Sequence, residues 1–302
     1  MTAGWARLAN ILGQRLTTVA VHYVRRPEIF RTVRARALSS GLASSNSRHG
    51  RRKTLLSLGV VGTFVCGALY WYHKSRDPFP PAVSKLLREA LLCEQKSDLI
   101  GAERFFKEAY RLSTAIEGEN SAQTVGILIK LANITSQMGQ FEAASLMYKS
   151  LWDFFVSEQS LNSRKAVAAA FEYALCSQRL HKLSETERVL LWCREQVTPT
   201  GEIRDGPLAE ALAILYLQSG RYQETVPLFR RAIEEAEREL GKNHCQVAIL
   251  ASNLAAAYVA LSEFDKALEE SVRATDISTR VCKEELPVIL CNQALIRAVS
   301  CF

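Results

Sequence analysis

Small and apolar residues recur along the last two thirds of the chain with a long, regular period. A small residue stands at Ala102, Ala144, Thr186, Thr225 and Ala267, at intervals of 42, 42, 39 and 42 residues. Four positions beyond it come Phe106, Tyr148, Leu190, Phe229 or Ser271, and three further on Ala109, Leu151, Cys193, Ala232 or Ala274. Steps of four and three keep these side chains on one face of an α-helix. Twelve positions before the small residue stands Ala90, Ala132, Ala174, Ala213 or Ala255, on a preceding helix. Gly139 and Gly220 lie between the two helices, where a tight turn needs φ > 0. Each copy thus predicts a helix-turn-helix unit. A repeat of this length signals a solenoid, in which each unit buries its apolar face only against its neighbours.

Three copies carry an aromatic three residues before the small one, in Gln140-Phe141-Glu142-Ala143-Ala144, Arg221-Tyr222-Gln223-Glu224-Thr225 and Glu263-Phe264-Asp265-Lys266-Ala267. This pattern resembles the tetratricopeptide repeat, and the 42-residue period resembles its kinesin-light-chain-like variant, whose helices are longer. The resemblance covers residues 82–302. Residues 118–124 and 241–247 look alike and occupy the same phase, and the third copy departs most, with no turn glycine and Leu183 in place of the aromatic. The resemblance implies an all-α fold: a tetratricopeptide-repeat superhelix (α-solenoid) of five repeats plus a final unpaired helix over 82–302. In this copy of the pattern the chain stops inside the first helix of a sixth unit.

The chain before the repeats has a different character. Residues 1–53 hold eleven Arg or Lys against the single acid Glu28, a net of +10, which leaves −3 for the rest of a chain whose total is +7. Residues 1–38 read as a mitochondrial presequence: Arg-rich, nearly free of acids, with Trp5, Leu8, Leu12, Leu16 and Val19 at helical spacing. Arg36, Leu38 and Ser39 resemble a matrix-peptidase site, cut after Leu38. Residues 39–53 form a basic matrix-side stub. Residues 54–72 carry no charge and end on Tyr70, Trp71 and Tyr72. An uncharged stretch of this length matches a bilayer's hydrocarbon core, and the aromatics match its interface. A transmembrane helix is therefore expected over 54–73, ahead of the repeats, followed by a Pro-rich spacer over 74–81. Arg48, Arg51, Arg52 and Lys53 precede the span, so the positive-inside bias predicts a single-pass inner-membrane protein with its repeats in the intermembrane space.

Charge confined to a leader argues against a nucleic-acid binder. The eight cysteines contain no Cys-x2-Cys, so no zinc-ribbon or thioredoxin-like site is expected. Cys93, Cys176 and Cys193 fall at packing positions and read as buried thiols. Cys291 and Cys301 have nine residues between them, but the paired hairpins that use this spacing need two such motifs. P-loop, Gly-x-Gly-x-x-Gly, His-Glu-x-x-His and nucleophile-elbow patterns are absent. His181 and His244 lie near turns and read as solvated. The chain reads as a non-enzyme, with no cofactor, no metal and no small-molecule substrate.

A binding role remains. The repeat phase turns one face of each first helix inward, giving a protein-binding groove of Leu87, Leu91, Asn133, Gln137, Phe171, Leu175, Arg179, Glu210, Ile214, Leu217 and Val259, with Glu94, Ile129, Ser252 and Ala256 beside them. The set is mostly apolar. Glu172, Pro207 and Ala211 stand where a Lys/Asn/Arg carboxylate clamp would need other residues, so extended or unfolded apolar segments are the expected ligands. The order presequence, span, proline spacer and repeats, together with Leu58 to Gly62, Tyr70 to Ser75 and Leu87 to Leu91, resembles the adaptor family of the inner-membrane i-AAA protease. That resemblance implies a membrane-anchored subunit that brings unfolded substrates to AAA protease subunits, in protein quality control. The alternative is a factor for assembly or maintenance of respiratory complex III.

Overall fold

The structure is a computed structural model that describes residues 79–157, 163–196 and 205–300. Among these residues the chain forms eleven helices: α1 Pro81–Gln95, α2 Leu99–Glu117, α3 Ala122–Gln137, α4 Phe141–Ser157, α5 Ser163–Arg179, α6 Leu183–Glu195, α7 Gly206–Gln218, α8 Tyr222–Leu240, α9 Cys245–Ala260, α10 Phe264–Val281 and α11 Leu286–Ser300. They fall into two compact units that divide between Gln140 and Phe141. In the smaller, α1 packs on α2 and α2 on α3. In the larger, each helix from α4 to α11 packs on the next, α5 also meets α7, and α9 also meets α11.

The repeat phase is visible directly in the packing. Each even-numbered helix from α2 to α10 opens three residues before its small residue. Ala102, Ala144, Thr186, Thr225 and Ala267 have no exposed surface, nor do Ala90, Ala132, Ala174, Ala213 and Ala255. Phe106, Tyr148, Leu190 and Phe229 are buried beside them. A methyl-sized side chain at a helix contact lets the two backbones approach, and a large one four residues on fills the space that this leaves.

The turns are more uniform than the sequence suggests. Ser97, Gly139, His181, Gly220 and Ser262 occupy equivalent positions, and all five have positive φ, between 58° and 78°. At each, the residue after the turn donates its N–H to a carbonyl five positions back, as in Gln140 to Thr135 and Lys182 to Ser177 at 3.2 and 3.0 Å. These bonds satisfy the carbonyls that a helix end leaves open. The third copy therefore makes the same turn without glycine: the backbone bonds hold His181 in a region that L residues adopt at a cost. Side-chain caps fix three helix starts. Asp98 accepts from the N–H of Gly101 at 2.9 Å, Ser121 from Thr124 at 3.1 Å and His244 Nδ1 from Gln246 at 3.1 Å.

The expected membrane topology is overturned. No helix among the described residues is long and apolar enough to cross a membrane. The transmembrane helix expected over 54–73 lies outside the described residues, as do the 1–38 presequence with Arg36, Leu38 and Ser39, the 39–53 stub and residues 74–78 of the spacer. The fold class is corrected to an all-α repeat array with no membrane helix among the described residues. The membrane-anchored character, the single-pass inner-membrane topology and the placement of the repeats in the intermembrane space rested on that span, and they are withdrawn with it. Apolarity alone is a permissive signal. Every residue of α9 from Val247 to Val259 is buried, yet that helix is 16 residues long and owes its apolar circumference to helices packed around it.

Candidate protein-binding surface

The residues expected to line a groove sit on first helices, but they meet different fates. In the smaller unit, α1 carries Leu87, half-buried, and Leu91, exposed. On α3, Asn133 and Gln137 are half-buried. In the larger unit, Phe171, Leu175 and Arg179 stand four residues apart on α5, and all three keep part of their surface open. The Arg179 guanidinium lies 5.8 Å from the centroid of the Phe141 ring, a cation–π distance that holds its charged end over α4. Ile214, Leu217 and Val259 differ: each is enclosed in the core shared by α7 to α11, with Ala213, Ala251 and Leu254. Ser252 and Ala256 are buried as well. The structure thus keeps Phe171, Leu175 and Arg179 together as an accessible apolar strip with a cationic end. It places Ile214, Leu217 and Val259 among packing residues.

A set of polar contacts links successive first helices in the larger unit. Gln178 Nε2 on α5 donates to Gln218 Oε1 on α7 at 3.1 Å. Gln246 Nε2 on α9 donates to both carboxylate oxygens of Glu210 on α7, at 3.1 and 2.9 Å. Asn292 Nδ2 on α11 donates to Ser252 Oγ on α9 at 3.0 Å. A buried amide or carboxylate without a partner costs more than a made hydrogen bond returns, so such pairs fix which helix lies beside which. Burial pushes the Glu210 carboxyl up to about 7, and its bond from Gln246 acts in the opposite sense. Only Glu210 and Ser252 of these residues were legible as inward-facing. The signal for the rest is spacing: Gln178 and Gln218, like Ser252 and Asn292, are 40 residues apart, close to one repeat.

Second helices are tied by charge. Arg221 stacks 3.9 Å from the centroid of Tyr216 and bonds both Glu224 and Glu187, at 2.6 and 2.5 Å. Arg273 pairs with Glu237, and Arg231 with Asp205. On the α4 to α6 side, the Trp152 ring lies 5.0 Å from Trp192 and 6.0 Å from Tyr173. Cys176 and Cys193 are buried, as their packing positions imply, while Cys93 is half-buried. His244 is not a solvated imidazole: it caps α9, and burial lowers its pKa.

Among the described residues, no group of three or more His, Cys, Asp or Glu could hold a metal ion. The all-α repeat architecture is consistent with a scaffold. Its chemistry is the display of helix faces, apolar on α5 and polar where first helices meet.

A tetratricopeptide-repeat family profile matches residues 207–280. Tetratricopeptide repeat protein 19, mitochondrial, of Rattus norvegicus is 24% identical over 239 residues, covering 73% of this chain and 65% of the rat protein. Its Homo sapiens counterpart is 24% identical over 245 residues, covering 73% and 63%. The chain therefore spans a little under two thirds of the length of these relatives. Protein MRG3-like of Saccharomyces cerevisiae is 24% identical over 151 residues, 46% of this chain and 32% of the yeast protein. Among solved structures, BtubC from P. vanneervenii aligns with a TM-score of 0.55 at 16% identity, over 71% of this chain and 84% of its own. A putative kinesin light chain from Podosopora anserina with nearly identical repeats aligns with a TM-score of 0.55 at 18% identity, over 68% and 98%. The fold is that of kinesin-light-chain-like tetratricopeptide repeats.

Proposed function

We propose that this tetratricopeptide-repeat protein is a mitochondrial binding adaptor that holds apolar segments of non-native proteins and presents them to the i-AAA protease. The observation that carries the binding part is the strip Phe171, Leu175 and Arg179 on α5: two apolar side chains, partly open to solvent, beside a cation held in place by Phe141. Such a strip gains affinity from apolar burial, at about 25 cal/mol per Å², less the entropy of ordering the ligand. It favours weak and adaptable binding with little salt dependence. The mitochondrial part leans on the names of the rat and human relatives. The protease as recipient leans on the resemblance of the chain's order to that adaptor family.

Affinity purification of the full chain from mitochondria tests the reading. AAA protease subunits among the captured proteins are the expected result. Capture of cytochrome bc1 subunits without the protease selects the respiratory-chain role instead. Changing Phe171 and Leu175 to Ser should slow turnover of protease substrates while the adaptor stays in its complex. Unchanged turnover by the folded double variant rejects the α5 strip as the binding face.

A further inference from the structure

Cys245 and Cys282 are 37 residues apart in sequence, yet their Cα atoms lie 5.6 Å apart and their sulfurs are joined. That Cα separation lies inside the window, about 4.4–6.8 Å, in which two cysteines can be bridged without moving the backbone. Their places in the fold give the bond its meaning. Cys245 is the first residue of α9, directly after the cap His244, and Cys282 closes α10. Both stand at the open end of the α9–α10 hairpin, opposite the turn at Ser262. The Cys282 carbonyl also accepts the N–H groups of Glu285 and Leu286, at 3.2 and 3.1 Å, which start α11. One covalent link therefore joins the beginning of α9, the end of α10 and the approach to α11. Farther along, Asn292 and Ser252 tie α11 to α9 a second time.

We propose that Cys245 and Cys282 form a dedicated oxidation site, closed by thiol–disulfide exchange with a disulfide-carrying thiol oxidant, and that its closure locks α9, α10 and α11 into one block. Cys245 is the reachable partner, being half-buried, while Cys282 is buried. It also sits at a helix N-terminus, an environment that favours the thiolate form. The Cys245 thiolate attacks one sulfur of the oxidant's disulfide, whose S–S bond breaks and releases a first thiol. The Cys282 thiolate then attacks Cys245 Sγ in the mixed disulfide and releases the second. Two protein thiols lose two electrons and two protons, and the oxidant leaves as two thiols. Cys176 and Cys193 are poor competitors, because both are buried, and burial pushes the Cys193 thiol up to about 12.

The test uses the full chain, equilibrated with glutathione disulfide as oxidant, denatured, alkylated, then reduced and alkylated with a second reagent. Cys245 and Cys282 should carry only the second label, and a digest made before reduction should hold their peptides joined to each other, while Cys291, exposed on α11, carries the first label or glutathione. First label on both Cys245 and Cys282 overturns the proposal. Hydrogen exchange of the native protein with and without dithiothreitol reads the lock. Reduction should speed exchange in α9 to α11 by about tenfold or more and leave 81–137 unchanged, since local opening is what a cross-link suppresses. Equal exchange in both states overturns the lock. A Cys245→Ser, Cys282→Ser double variant should behave like the reduced protein and ignore dithiothreitol. If it exchanges like the oxidised protein, the idea fails. The comparison of oxidised and reduced wild-type protein needs no substitution and decides the matter where the variant does not fold.

Discussion

Helices α5 and α9 hold the same place in the third and fifth repeats, and each presents a fully buried alanine, Ala174 or Ala255, to its partner. Their surroundings differ. On α5, Phe171, Leu175 and Arg179 keep open surface, whereas on α9 no residue from Val247 to Val259 is open. Helix α9 meets α8, α10 and α11; it is bound at its start by a disulfide and by Glu210, and farther along by Asn292. Helix α5 meets α4, α6 and, slightly, α7. One repeat pattern therefore yields a helix that displays side chains and a helix that braces the array. Phase assigns a residue to a face; the neighbours decide whether that face is a surface.

The sharpest way to break this contrast is to place a charge on each helix type. Ile214→Asp, in the braced region, should cost about 3 kcal/mol or more, because it buries a carboxylate with no partner. Phe171→Asp should cost under about 1 kcal/mol, since the new group can reach water. Thermal melts followed by circular dichroism would show the gap. Equal losses would mean that α5 is as enclosed as α7.

A volume increase should give the next largest effect. Ala255→Trp forces a large ring into a crossing surrounded on all sides, and overpacking of this kind costs about 1–3 kcal/mol, occasionally more. Ala174→Trp should cost less, because α5 can shift toward its open side. If neither variant changes the melting temperature, the repeat phase itself is wrong.

Glu210 supplies a pH test confined to the braced part. Its carboxyl in the folded protein is raised from the usual 4.5 to about 7, so the fold favours the protonated form. The resulting stabilisation is complete below pH 4.5 and is lost as pH rises through 7. Stability should fall over that window by roughly 1–3 kcal/mol relative to a chain lacking the group. Glu210→Gln keeps the bond with Gln246 possible and should flatten the profile. An unchanged slope in that variant would move the titrating group elsewhere.

The smallest effect concerns the turns. His181 and Ser262 sit at φ 58° and 60°, where glycine carries no steric penalty. His181→Gly and Ser262→Gly should each stabilise by about 0.5–1 kcal/mol, the gain from relieved strain being partly offset by entropy of the unfolded chain. Denaturant titration would measure it, and a loss of stability would show that the native side chains make compensating contacts.

The repeat array was readable in advance because its determinants are local and periodic. Alanine at Ala90, Ala132, Ala174, Ala213 and Ala255 has one physical reason to recur, the close approach of two helices. Which inward positions keep open surface was only partly readable. Leu175 and Leu217 are the same residue type in related phases, and nothing within either helix tells that one is half-open and the other enclosed. The Cys245–Cys282 bond was missed for a related reason: a 37-residue separation is no motif, and it becomes suggestive only when both ends are mapped onto one end of a hairpin. The membrane span was read from length and charge alone, which describe what a segment is able to do. Capping by His244 escaped notice because histidine is an uncommon cap.

The five positive-φ turns have a practical consequence. Their backbone is held by main-chain bonds, and Ser97, Gly139, His181, Gly220 and Ser262 are all exposed, so no side chain there is committed to the core. His181 and Ser262 already show that a residue with a Cβ is accepted. They lie in the same unit, at the joints of the displaying repeat and the braced one. In a background where Cys66, Cys93, Cys291 and Cys301 are replaced by serine, His181→Cys and Ser262→Cys would give two attachment points for spin labels. The distance between them would read whether the array bends when an apolar peptide is added, without touching the residues proposed to bind it.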